Sequence, residues 1–409
     1  MSTTSLHQNL SLEQTGTTTK SFLLGIPLQI YVVAICSALV IIGVQWDIAW
    51  HMSIGRDGLF SAPHNAIYLG AALAGIISGY QVLKTSFWGT SEEKGKMVNF
   101  WGIFYSSLGG MFCIWGGFGA ATSAPFDDWW HATYGLDVKI FSPPHAVLGL
   151  GLIAIQIGAM ISVLAVLNRK EKIAYLSGLQ SINRDNRLRN IFMFTAGLVV
   201  LTVGTFLTEF MGRWNMHRDS FYEIGCAAFP MFIIAFARAS KIKWGATIIT
   251  AIYMVVMICI NVTIRQFPAE PLLAPVANHI TFFQTTAFPL LLVFPAMIID
   301  FLRDKFTSKN DWILAVILGL AFFLTFLIIQ YNAGTFLKES PLARNWFFQS
   351  DSMPYNNPAN AEWRYKFTDW AITKGVKNWA IAALVASVLG ILSARIGLLW
   401  GNWMKRVQR

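Results

Sequence analysis

The sequence predicts an all-α, polytopic transmembrane helix bundle of about ten spans. Three observations point there. Of the 409 residues, 55% are hydrophobic and only 13% charged, against the roughly half apolar and quarter charged mixture of a soluble domain. Apolar stretches of about 20 residues, the length that crosses a hydrocarbon core, recur along the chain with short polar breaks between them. Most of the 31 Lys and Arg residues fall in alternate breaks, the distribution that sets topology in a membrane.

Taken in order, the expected spans cover 26 to 46, 64 to 84, 98 to 121, 145 to 167, 191 to 211, 223 to 239, 244 to 265, 279 to 302, 311 to 331 and 378 to 400. Residues 1 to 25 form a polar tail rich in Ser and Thr. The first span is longer than a signal-peptide core and is not followed by a small-residue cleavage site, so it should remain as an anchor. Residues 26 to 167 then make one four-helix membrane unit, 168 to 190 a basic loop, and 191 to 302 a second four-helix unit. Residues 303 to 409 add two spans joined by a long polar loop, 332 to 377, too long for a simple turn. Its aromatics, Trp346, Tyr355, Trp363, Tyr365 and Trp370, suit a lipid interface or a platform for a partner.

The Lys/Arg bias and the even number of spans place both termini in the cytoplasm. The net charge of +10 is thereby accounted for by topology and by the bilayer, with no nucleic-acid partner required. Cys36, Cys113, Cys226 and Cys259 lie in or at the ends of apolar spans without metal-ribbon or redox spacing and read as packing residues. Glycines such as Gly70, Gly75, Gly79, Gly109, Gly110, Gly116, Gly117 and Gly119 suit close helix contact.

One repeated pattern carries chemistry. WDIAWHMSIGRDGLFSAPH ends at His64, and FDDWWHATYGLDVKIFSPPH ends at His145. Asp47 and Asp127 stand four residues before His51 and His131, Trp50 and Trp130 precede those histidines, and Asp57 corresponds to Asp137. Residues four apart share a helix face, so Asp47 can point with His51 at one spot. A short loop then returns the chain, and Pro63 suits a helix start that brings in His64. The second copy does the same with Asp127, His131 and His145. Two imidazoles and a carboxylate leave coordination positions open and suit copper, Fe(II) or Zn. Anchoring of helix ends at the interface is the plain alternative. The repetition, which uses four of the seven histidines, favours metal.

The segment Asp47, Trp50-His51, Ile54, Arg56-Asp57, Phe60 and His64 resembles the copper-binding region of the C subunit of particulate methane and ammonia monooxygenases. The resemblance covers roughly residues 40 to 165. It implies copper at Asp47, His51 and His64, with Trp50, Arg56, Asp57, Trp130 and Asp137 around the ligands. The family's Asn/His/His set maps onto Asp127, His131 and His145, with Asp in place of Asn. The implied function is oxidation of a small lipid-permeable substrate at the outer face of a bacterial inner or cell membrane. Other membrane subunits and a periplasmic cupredoxin-like partner are implied with it. Non-catalytic copper or zinc binding, and a metal-free scaffold role, remain the alternatives.

The second half echoes the first. Aligning Arg218-Asp219 with Arg56-Asp57 puts Glu209, Arg213 and Cys226 at the positions of Asp47, His51 and His64. Asn261, Arg265 and His279 keep the spacing of Asp127, His131 and His145. Arg replaces an imidazole in both and stays protonated, so neither set suits a metal. Glu209, Arg213, His217, Glu223 and His279 are instead candidates for a polar pathway.

Overall fold

The computed structural model describes residues 22–55, 58–135, 141–169, 178–306 and 309–409. A two-stranded turn, β1 (Phe22–Leu23) with β2 (Ile26–Pro27), leads into α1 (Leu28–Ser53) and α2 (Ala62–Trp88). Next come a single turn, α3 (Ser91–Gly95), and a hairpin of β3 (Val98–Phe100) with β4 (Phe104–Ser106). Then α4 (Leu108–Tyr134), α5 (Pro143–Arg169), α6 (Gly178–Phe206), the short α7 (Thr208–Met211), α8 (Asp219–Ser240) and α9 (Gly245–Ile264) follow. The chain ends with α10 (Val293–Lys305), α11 (Asp311–Glu339) and α12 (Val376–Met404).

Among the described residues, α1, α2, α5, α6, α8, α9, α11 and α12 are long and apolar enough to cross a membrane. This is an integral membrane protein. Hydrogen bonds at the helix ends fix the direction of each passage. At one end, Asn168 of α5 donates to the carbonyls of Met404 and Val407, Arg184 of α6 to Gly25, and Arg189 to Ser240. Arg238 of α8 bonds Asn402 and Asp311 at the same end. The last turns of α1 and α4 and the first turns of α2 and α5 meet at the other, called here the cluster end.

Two expected spans fold differently. Residues 98 to 106 form the β3–β4 hairpin, turned at Trp101 and Gly102, both with positive φ. The helix expected over 98 to 121 therefore starts at Leu108, capped by Ser107 Oγ, and runs on to Tyr134. Glycine lets it sit close to its neighbours: a Cβ on Gly116 would lie 2.5 Å from the Gly151 carbonyl of α5, and one on Gly117 would lie 2.9 Å from the Ala71 carbonyl of α2. Gly79, expected in the same role, faces open space.

The span expected over 279 to 302 is a helix only from Val293, for 13 residues. His279 thus opens no helix, and the proposed match to His145 fails there. Residues 283 to 292 have no regular structure, and Gln284, Thr285 and Thr286 are buried. Because α9 ends beside Asp351 at the cluster end and α10 ends beside the start of α9, this stretch and α10 together cross the bundle. Among the described residues, α4 and this composite passage add two further passages between the two ends of the bundle.

Non-helical backbone at membrane depth persists only where protein groups satisfy it, and here they come from four directions. The N–H groups of Gln284, Thr285, Leu290 and Leu291 donate to Ser53 Oγ, Ser352 Oγ, Tyr253 OH and Gln330 Oε1, at 2.7 to 3.0 Å. Asn261 Nδ2 donates to the Thr286 carbonyl, and Thr286 Oγ1 donates to Gln45 Oε1. Gln45 Nε2 in turn reaches Thr205 Oγ1 at 2.6 Å.

The long loop expected over 332 to 377 begins later, because α11 stays helical to Glu339. Residues 340 to 375 fold over the cluster end. Tyr355 N donates to the Met52 carbonyl, one residue past His51, and the Tyr355 carbonyl accepts from Ala277 and Asn278.

Candidate functional site

Asp47 and His51 occupy the last two turns of α1, and His64 the first turn of α2, where Ala62 and Pro63 open the helix after Ser61. Asp47 Oδ1 lies 3.2 Å from His64 Nε2, and Asp47 Oδ2 lies 3.8 Å from His51 Nε2. In the second copy, Asp127 Oδ1 lies 3.5 Å from His145 Nε2 and Asp127 Oδ2 lies 3.7 Å from His131 Nδ1. Both carboxylates thus stand between two imidazoles, with one oxygen toward each. All six side chains are partly exposed at the cluster end, the most open being His51 at 37%.

The copies differ in one atom: His51 turns Nε2 to its carboxylate, whereas His131 turns Nδ1. His64 Nδ1 lies 3.2 Å from the Gly58 carbonyl, so a tautomer that donates from Nδ1 leaves the Nε2 lone pair facing the carboxylate. A lone pair against an anionic oxygen calls for a second proton or another cation between them. A ring N–H held by a carbonyl is also how ligating histidines are commonly oriented.

The separations test the fit further. Ligand atoms roughly 2.0 to 2.2 Å from a tetrahedral metal lie about 3.3 to 3.6 Å apart, near the 3.2 to 3.8 Å observed. Yet no group of three or more His, Cys, Asp or Glu is arranged to hold a metal among the described residues. Each carboxylate uses separate oxygens for its two imidazoles, so closure on one point needs a side-chain rotation.

The residues expected around the ligands divide. Trp50 packs into the core with its ring 6.1 Å from that of Phe283. Trp130 joins a partly exposed aromatic group with Trp129 and Tyr134, the latter ring 4.4 Å away. Equivalent positions in the repeat therefore serve different surroundings. Arg56, Asp57 and Asp137 lie outside the described residues.

The five candidates for a polar pathway do not join up: among the described residues no hydrogen bond or ion pair links any two of them. Glu209 and His279 are exposed and Glu223 half-buried. Arg213 is buried and donates to the carbonyls of Gln349 and Ser352, both at 2.8 Å. Burial, then the nearby Arg364, hold its guanidinium down at about 10. His217 lies between the rings of Tyr331 and Phe367, at 3.9 and 3.8 Å, with Nε2 3.0 Å from Thr335 Oγ1. Burial pushes its pKa below the ordinary value. Arg213 thus ties the loop before α8 to residues 340 to 375, and His217 joins both to α11.

The polar line that does exist runs through Gln45, Ser53, Asn261, Gln284, Thr285, Thr286, Gln349 and Ser352, of which the sequence patterns singled out Asn261 alone, and in another role. Gln45 and Ser53 flank the first cluster on α1. Their only signal in the sequence was a polar side chain inside an apolar run. No family profile, curated protein or solved structure matches this chain.

Proposed function

We propose that this membrane protein binds a transition metal through Asp47, His51 and His64, and a second, more weakly, through Asp127, His131 and His145. The observation that carries the reading is the His64 ring: one nitrogen rests on the Gly58 carbonyl while the other faces Asp47 Oδ1 at 3.2 Å. A metal ion between imidazole and carboxylate suits that arrangement, as a second proton also would, and the donor set suits copper, with iron or zinc as alternatives. Copper held there would supply redox chemistry with dioxygen. The chain's own groups position the metal and, through the residues over the cluster end, limit access of water.

The resemblance to the particulate methane and ammonia monooxygenase C subunit extends the reading to a monooxygenase-like subunit. It would act on a small lipid-permeable molecule, with further membrane subunits and a periplasmic cupredoxin-like donor. In this reading the cluster end faces outward and both termini the cytoplasm of a bacterial cell.

Metal analysis of the protein purified from cells supplied with copper, iron and zinc tests it. The expected result is one to two equivalents, as two clusters would hold. His64→Ala and Asp47→Ala lose most of the metal, and His145→Ala loses the smaller share. Correctly folded protein without metal refutes the reading. Loaded protein that takes up no oxygen with small alkanes, alkenes or ammonia, in native membranes with a reductant, leaves metal binding and removes the monooxygenase.

A second reading is favoured by the carboxylates themselves, which already meet both imidazoles through separate oxygens. The clusters would then be metal-free staples joining α1 to α2 and α4 to α5. Metal-free protein that loses stability in His64→Ala and His145→Ala distinguishes it.

A further inference from the structure

At the end of the bundle away from the clusters, a cavity of about 290 Å³ opens between α5, α6 and the turn that follows α8. It is far larger than the roughly 30 Å³ share of a single water. Leu164 and Leu167 of α5 and Phe192 of α6 give it an apolar wall, and Arg184, Arg189 and Lys241 a basic one.

Charge in this cavity does not balance. Arg184 is 4% exposed; its Nε donates to the Gly25 carbonyl at 2.9 Å, and its Nη1 stands 3.5 Å from Asp185 Oδ1. Its Nη2 has no bond to a described group. Arg189 spends Nη1 on the Ser240 carbonyl at 2.7 Å. Lys241 takes the left-handed conformation that ends α8, with φ 59°, and no described group pairs with its ammonium. Asp185, its side chain 47% exposed, is the one carboxylate among the described residues that line the cavity, so three cations face one anion. More positive charge lies close by. Lys405, just past α12, is held below its ordinary pKa by burial and then by Arg238, Lys241 and Arg303, with Asp311 opposing them.

Depth points to the ligand. Trp244 and Trp312 are exposed at the same end, where such rings mark the level at which headgroups meet hydrocarbon. Guanidinium groups grip phosphate oxygens through paired N–H donors, and basic pockets between membrane helices hold anionic headgroups. We infer that Arg184, Arg189 and Lys241 form a binding site for a phosphate ester, carried by an anionic phospholipid whose glycerol end lies against the apolar wall. The site is at the opposite end from the Asp/His/His clusters and does not depend on what they hold.

Thermal unfolding of the full chain tests the assignment, with the protein stripped of lipid in a nonionic detergent and titrated with dioctanoylphosphatidylglycerol, the matching phosphatidylcholine or glycerol 3-phosphate. The expected result is a saturable rise in unfolding temperature with phosphatidylglycerol. Phosphatidylcholine, whose phosphate carries its own cation, and glycerol 3-phosphate, which lacks the chains, should both bind more weakly. Lys241→Gln removes an exposed cation that has no described partner to lose, so the protein should fold and bind phosphatidylglycerol about fivefold less tightly, the worth of one cation at a lipid surface. Asp185→Asn should bind it more tightly. Arg187→Gln, exposed on α6 and outside the cavity, is the control for diffuse charge and should bind like the wild type. Glycerol 3-phosphate binding as tightly as phosphatidylglycerol, with the same loss in Lys241→Gln, supports the phosphate site and gives it to a soluble ester. Equal responses to the two lipids, no loss in Lys241→Gln, or an equal loss in Arg187→Gln overturns the proposal.

Discussion

Tyr253→Phe removes one oxygen from a fully packed position and isolates a single hydrogen bond of the composite passage. In the wild type Tyr253 OH accepts from Leu290 N–H at 2.9 Å, just before α10 begins. Tyr253 is 2% exposed and Leu290 8%, so neither water nor another described group takes over the amide. Leaving a buried donor without a partner costs about 1–3 kcal/mol. Side-chain bonds between membrane helices average only about 0.6 kcal/mol, because the unfolded chain in lipid finds other partners. The backbone amide here has no such alternative in the folded state, so a loss near 1–2 kcal/mol, roughly 5- to 30-fold in the unfolding equilibrium, is expected. Gln330→Leu removes the acceptor of the adjacent Leu291 N–H at 3.0 Å. As neighbouring amides in one unwound stretch, the two should couple in the double variant. Unfolding equilibria in detergent, with Tyr80→Phe on the exposed face of α2 as control, measure the loss, and amide exchange at Leu290 locates it. Tyr253→Phe matching Tyr80→Phe, with Leu290 exchange unchanged, would refute the account of how this passage is held.

Three further outcomes are expected. Gly116→Val puts a carbon where ordinary contact is already exceeded, 2.5 Å from the Gly151 carbonyl. Overpacking of this kind costs about 1–3 kcal/mol, and it should open the Asp127–His145 pair without disturbing Asp47–His64, so modification by diethylpyrocarbonate should accelerate at His145 and not at His64. Burial lowers the pKa of His217 in the folded chain below its ordinary 6.5. The unfolded chain therefore takes up a proton first as pH falls through 6.5, stability declines from there down to the folded pKa, and it levels off below. Thermal midpoints across that range should fall less in His217→Phe, which keeps the stack between Tyr331 and Phe367. Cysteine labelling in intact cells should reach a residue introduced near Gly135 and not one introduced near Lys94, because the cluster end faces outward in the proposed topology.

What the sequence determined by itself is what depends on composition and short spacing. Apolar runs long enough to span a bilayer are visible residue by residue, and eight of them are helices. Asp47 with His51, and Asp127 with His131, are joined by the helix repeat alone. His64 and His145 follow because a short loop can only return the chain beside the helix it left. Tertiary structure decided the rest, for a physical reason in each case. Hydropathy counts side chains and is blind to backbone, so 279 to 302 reads as a span although half of it is unwound. That half is tolerable only because Ser53, Tyr253, Gln330 and Ser352, far apart in sequence, satisfy its amides. The different settings of Trp50 and Trp130 are likewise invisible in a repeat that places both one residue before a histidine. Lys338 reads as a helix-end cation, free to reach water. Only the tertiary structure buries it over Trp214, with no hydrogen bond to its Nζ among the described residues.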